Sequence, residues 1–76
     1  MTKLTLHEID GTDSVIMAEL ADDYFIMLQE DAQNKCQAKG IHLYKGENDT
    51  YYLADSDNVI LASGMTTIRT YINYLL

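Results

Sequence analysis

Val15-Ile16-Met17-Ala18-Glu19-Leu20-Ala21-Asp22-Asp23-Tyr24-Phe25-Ile26-Met27-Leu28-Gln29-Glu30-Asp31-Ala32, extended by Gln33 to Lys39, is the stretch on which the fold turns. Within it Met17, Leu20, Ala21, Tyr24, Met27, Leu28 and Ala32 fall at i, i+3, i+4, i+7, i+10, i+11 and i+15, the spacing of one helical face. Lys39-Gly40 makes a stop, with a cation near the carbonyl end and a glycine free to take positive φ. The periodicity predicts one helix over residues 15–39, roughly 35–40 Å long at 1.5 Å per residue. Upstream, residues 10–14 are turn chemistry and offer Thr12, Asp13 or Ser14 as N-cap. Residues 2–9 alternate at Leu4 and Leu6 and lose register at Ile9, which reads as a short edge strand or an irregular arm over 1–12.

Downstream, three strand signals follow: Ile41 to Lys45, Thr50 to Ala54, and Val59 to Ala62. The turns between them, Gly46 to Asp49 and Asp55 to Asn58, are short enough to join antiparallel neighbours. Gly64 breaks the chain, and Thr66 or Thr67 caps a last helix over 67–76 with Ile68, Tyr71, Ile72 and Leu75 on its apolar stripe. The expected class is α+β: helix, three-stranded antiparallel meander, C-terminal helix, and a short N-terminal strand. Both helices should cover one face of the sheet, because three strands alone cannot bury an apolar face.

At 76 residues the chain is one compact domain, and its 47% hydrophobic content is too high for intrinsic disorder despite a net charge of −7. A single cysteine, Cys36, rules out an internal disulfide framework and fits a small helix-packing residue. No apolar run approaches the ~20 residues of a membrane span, and the first residues lack a signal-peptide core, so a cytoplasmic location is expected. A pI of about 4.3 with five scattered bases disfavours direct contact with nucleic acid or an anionic membrane.

Between Lys3 and Lys35 there is no lysine or arginine, while Glu8, Asp10, Asp13, Glu19, Asp22, Asp23, Glu30 and Asp31 are all acidic. On the expected helix Glu19, Asp22, Asp23 and Glu30 lie opposite the core line, with Ile26 among them. That makes a docking face, with acids for steering and an apolar centre for affinity. Asp55 and Asp57 at the second hairpin turn extend the theme, as do Glu47 and Asp49 at the first. The blander account of these residues is a solvated helix face and ordinary turn aspartates. Asp55-Ser56-Asp57-Asn58 fails as a calcium loop: Ile60 stands where the glycine belongs and Thr66 where the glutamate belongs. His7, His42 and Cys36 share no metal-ligand spacing, and neither a phosphate loop nor a nucleophile elbow is present. No cofactor, metal or catalytic residue is therefore expected, and a non-enzyme is.

The helix at 15–39, the meander from Ile41 to Ala62, the helix at 67–76 and these acids together resemble the small acidic anti-CRISPR proteins of phages. The resemblance rests on architecture and charge, not on a shared residue motif. It implies a stoichiometric inhibitor whose carboxylates occupy a Lys/Arg-lined groove that normally holds nucleic acid, as a DNA mimic. The alternatives are an immunity or antitoxin-like protein that neutralises a basic toxin, and a small self-associating module built on the tyrosines and the tail Tyr74-Leu75-Leu76. The expected oligomeric state is monomer or homodimer.

Overall fold

The computed structural model describes residues 1–27 and 29–75, the side chains of Ile26, Met27 and Leu75 excepted. Strands β1 (Thr2–His7) and β2 (Asp13–Leu20) come first, then a 3₁₀ helix (Asp22–Met27) and helix α1 (Glu30–Ala38). Strands β3 (His42–Gly46), β4 (Tyr51–Ala54) and β5 (Ile60–Ser63) follow, and helix α2 (Met65–Leu75) closes the chain. The class is α+β, with an N-terminal strand, a helix, the β3–β5 meander and a C-terminal helix in the expected order.

The long helix is a correction. Residues 13–20 form β2, and only 30–38 are α-helical before Gly40. The reason is tertiary. Leu4 and Leu6 on β1 need a neighbour, and β2 supplies it in antiparallel register, Leu4 opposite Ile16 and Leu6 opposite Ser14. The β-branched pair Val15-Ile16 suits that pleat better than a helix interior. Asp13 and Ser14 are thus strand residues, not helix caps. Of the expected helical core line, Ala21 and Ala32 are buried, Met17 is half-buried, and Leu20 and Tyr24 are exposed. Phe25 is buried instead. Leu28 lies outside the described residues, and the side chain of Met27 is not described.

All five strands form one antiparallel sheet in the order β1-β2-β3-β4-β5. It curls until β1 meets β5, where Thr5 forms a parallel bridge with Val59 and its N–H donates to the Asn58 carbonyl at 2.8 Å. Inside the curl Leu4, Ala18, Tyr44, Tyr52, Ala54 and Ile60 pack together, joined by Leu6 and Ile16. On the outer side of β3–β5, Leu43, Leu53 and Ala62 meet Phe25, Ala32, Cys36, Ile41, Ile68 and Ile72 from the helical layer. The central strands are therefore buried on both faces, and full burial of a leucine such as Leu43 or Leu53 contributes about 1.5–3 kcal/mol. Tyr51 and Tyr52 face opposite sides as strand neighbours must: Tyr52 fills the inner cluster and Tyr51 packs against the outer one.

Helix α1 has no side-chain N-cap hydrogen bond at Gln29, but Glu30 and Asp31 lie at the positive end of its dipole. It ends as expected: Gly40 takes φ +69°, and the Ile41 N–H reaches back to the Cys36 carbonyl at 2.9 Å. Helix α2 begins at Met65, two residues before the expected start, so Thr66 and Thr67 lie within it. Ile68 and Ile72 are buried and Tyr71 half-buried, as its stripe requires; the Leu75 side chain is not described and Leu76 lies outside the described residues.

Candidate interaction site

Three hairpin loops join the strands, and all three use one backbone design. Glu8, Gly46 and Asp55 each donate their N–H to the carbonyl four residues on, that of Thr12, Thr50 and Val59 at 2.8, 2.8 and 3.1 Å. Each also accepts, on its own carbonyl, the N–H three residues on, from Gly11, Asp49 and Asn58 at 3.1, 3.2 and 3.0 Å. Those three residues have φ of +85°, +62° and +62°. This is the three-residue hairpin loop with a left-handed third position.

The equivalence makes the first loop conspicuous. Its leading position is Ile9, where the other two loops carry Glu47 and Ser56. The turn therefore does not demand an aliphatic residue there. Ile9 is 109% exposed, more than any other large hydrophobic side chain described. Glu8 and Asp10 flank it in the chain, Asp13 opens β2, and each of the three carboxylates has a hydrogen-bond partner. Ser14 Oγ donates to Glu8 Oε1 at 2.7 Å. Asp10 Oδ1 accepts from the Thr12 hydroxyl at 2.7 Å and the Thr12 N–H at 3.0 Å. Those bonds hold the Asp10 carboxyl below the usual carboxylate range, the hydroxyl contributing most. Asp13 Oδ1 lies 2.6 Å from His7 Nδ1. Glu8 and Asp10 are held by neutral hydroxyls, so their charges are fixed in place without being cancelled.

The acids expected on one helix face are dispersed. Glu19 is exposed on β2, opposite Lys45 of β3. Asp22 and Asp23 open the 3₁₀ helix and Glu30 opens α1. Asp23 and Glu30 are exposed, whereas Asp22 turns to its own fold, accepting the Leu43 N–H at 3.0 Å and lying 3.0 Å from His42 Nδ1. Ile26 has no described side chain. Asp55 holds the third hairpin, its Oδ1 accepting the N–H groups of Asp57 at 2.9 Å and Val59 at 3.1 Å, while Asp57 is exposed. A single acidic helical face is therefore replaced by acids on separate elements, and Asp22 and Asp55 are occupied with the protein's own backbone.

Cys36 is fully buried in the outer core, and its thiol is pushed up by desolvation and, to a lesser degree, by the Asp22 charge. Among the described residues no group of three or more His, Cys, Asp or Glu side chains is placed to hold a metal ion. No helix of the described residues is long and apolar enough to cross a membrane. Comparison with protein-family models, with curated proteins and with solved structures finds no match.

Proposed function

We propose that this chain is a non-catalytic, stoichiometric binding protein that occupies a basic, nucleic-acid-binding surface on a protein partner and thereby blocks it. The CRISPR effectors that anti-CRISPR proteins disarm are one such partner class. What carries the reading is the β1–β2 tip: a fully exposed Ile9 with the fixed carboxylates of Glu8, Asp10 and Asp13, on a chain of net charge −7. An exposed apolar anchor with acids beside it suits an interface in which an apolar centre supplies affinity and rim charges supply steering and orientation. A Lys/Arg-lined groove with an apolar floor is the complementary surface. Carboxylates there replace phosphates, and each neutralised base contributes to the salt dependence that such grooves show toward nucleic acid.

The test compares wild type with Glu8→Lys/Ile9→Ser/Asp10→Lys in capture of CRISPR effector complexes and in competition against their labelled nucleic acid. Wild type is expected to capture a subunit and displace nucleic acid, less so at high salt, and the folded triple variant to do neither. Equal capture by both proteins would remove the hairpin tip from the interface. Capture of a small basic toxin instead would keep the acidic docking and reassign the partner to the immunity-protein class.

A further inference from the structure

From Asn58 to Leu76 the sequence contains no acid, and Arg69 is its one charged side chain. Those residues build β5 and α2, so on a chain of net charge −7 these two elements bring no carboxylate side chain of their own. There α2 carries a second stripe beside its core stripe: Thr67, Thr70, Tyr71 and Tyr74, at i, i+3, i+4 and i+7. With Leu61 of β5 they line an open, mainly apolar groove of about 530 Å³. Tyr74 stands 81% exposed at its end, and Leu61 and Tyr71 are half-buried along it.

We infer that this groove is a self-association surface on which a second copy of the chain docks about a two-fold axis, each Tyr74 entering the groove of the other. Charge selects the occupant. Two bodies of net charge −7 repel on approaches that bring carboxylates together, and contact through α2 and β5 brings none from these two elements. A basic partner is drawn to the acidic elements and meets no counter-charge here. A two-fold interface needs a patch complementary to itself, and a protruding tyrosine beside an apolar groove is one. Tyrosine also gives large contact area at low conformational cost. This inference is independent of the hairpin tip and of what binds there.

Sedimentation equilibrium of the full chain tests it, from micromolar upward, at low salt and at about 0.5 M salt, where the screening length is a few ångströms. The expected mass rises toward twice the 8.6 kDa of the monomer, and more steeply at high salt, because screening weakens the mutual repulsion. Tyr74→Glu and, separately, Thr70→Glu place a charge in the contact and should each weaken association about tenfold or more. Both positions are exposed, so circular dichroism should match wild type; if Tyr74→Glu unfolds, Thr70→Glu decides. A monomer at every concentration overturns the inference. So does a dimer that survives both charged variants, or one that weakens as salt rises.

Discussion

Replacing Asp22 by alanine should destabilise the protein by about 2 kcal/mol, although the position is polar and partly exposed. One carboxylate oxygen accepts the Leu43 N–H at 3.0 Å, and the Ala21 N–H bonds the Leu43 carbonyl at 2.8 Å, so the 3₁₀ segment is tied to both backbone groups of one residue. A hydrogen bond to a charged group contributes about 1.5–3 kcal/mol. The Asp22 side chain is 35% exposed, so water offsets part of the loss and the lower end, about 1.5 kcal/mol, applies. The contact with His42 is between exposed groups and adds about 0.5 kcal/mol or less. For a domain of this size the sum corresponds to roughly 8–16 °C in Tm. Asp22→Asn keeps an acceptor for Leu43 and should cost about 1 kcal/mol or less. Urea melts followed by circular dichroism measure both variants, with an unchanged m-value expected. Asp22→Ala within about 0.5 kcal/mol of wild type would refute this role, as would an asparagine variant as unstable as the alanine one.

Two other positions give sharp expectations. A Cβ at Gly46 would stand 2.6 Å from Tyr52 Cε2, so Gly46→Ala must move a ring packed inside the curl and should lower stability by about 1–3 kcal/mol in a thermal melt; an unchanged Tm would mean the ring yields freely. Cys36 should resist aqueous thiol reagents in the native state and react fully in urea. With its folded pKa raised above the ordinary 9.0, the unfolded chain loses that proton first, so this thiol's contribution to stability is intact below pH 9 and declines as pH climbs past it. Rapid native labelling at neutral pH would show that the outer core opens readily around α1.

The second half of the chain was legible in the sequence, because local signals and tertiary demands agree there. Short turns punctuate β-rich runs, and Gly40 and Gly64, with φ of +69° and +83°, mark real breaks. Between residues 13 and 27 they disagree. The i, i+3, i+4 spacing of Met17, Leu20 and Ala21 describes a helix, yet Leu20 ends 58% exposed on a strand. The available signal was Asp10-Gly11 between two apolar runs, a hairpin cue. Reading it as a helix start left β1 without a partner. The candidate site failed with that helix, since its common face depended on one continuous screw axis. Asp22 and Asp55 could not be separated from freely solvated acids by sequence, because their partners are backbone groups: Leu43, distant in the chain, and the left-handed turn before Val59. Ile9 stood in the sequence as the residue that lost register, and its significance emerges only when three equivalent loops are compared.

The bridge between Thr5 and Val59 joins the first strand to the last, and this has a consequence for how the chain matures. On the ribosome β1 and β2 emerge early and can zip into a hairpin, but a lone hairpin is marginal in water. Leu4 and Ile16 wait for Ile60 before the inner cluster is complete. Until then the nascent chain carries an open strand edge and a sticky concave face, the combination that invites pairing with other chains. Its safety during synthesis depends on how fast its last third follows its first. Glu8, Asp10 and Asp13 on the leading hairpin give it like charges, which repel between copies.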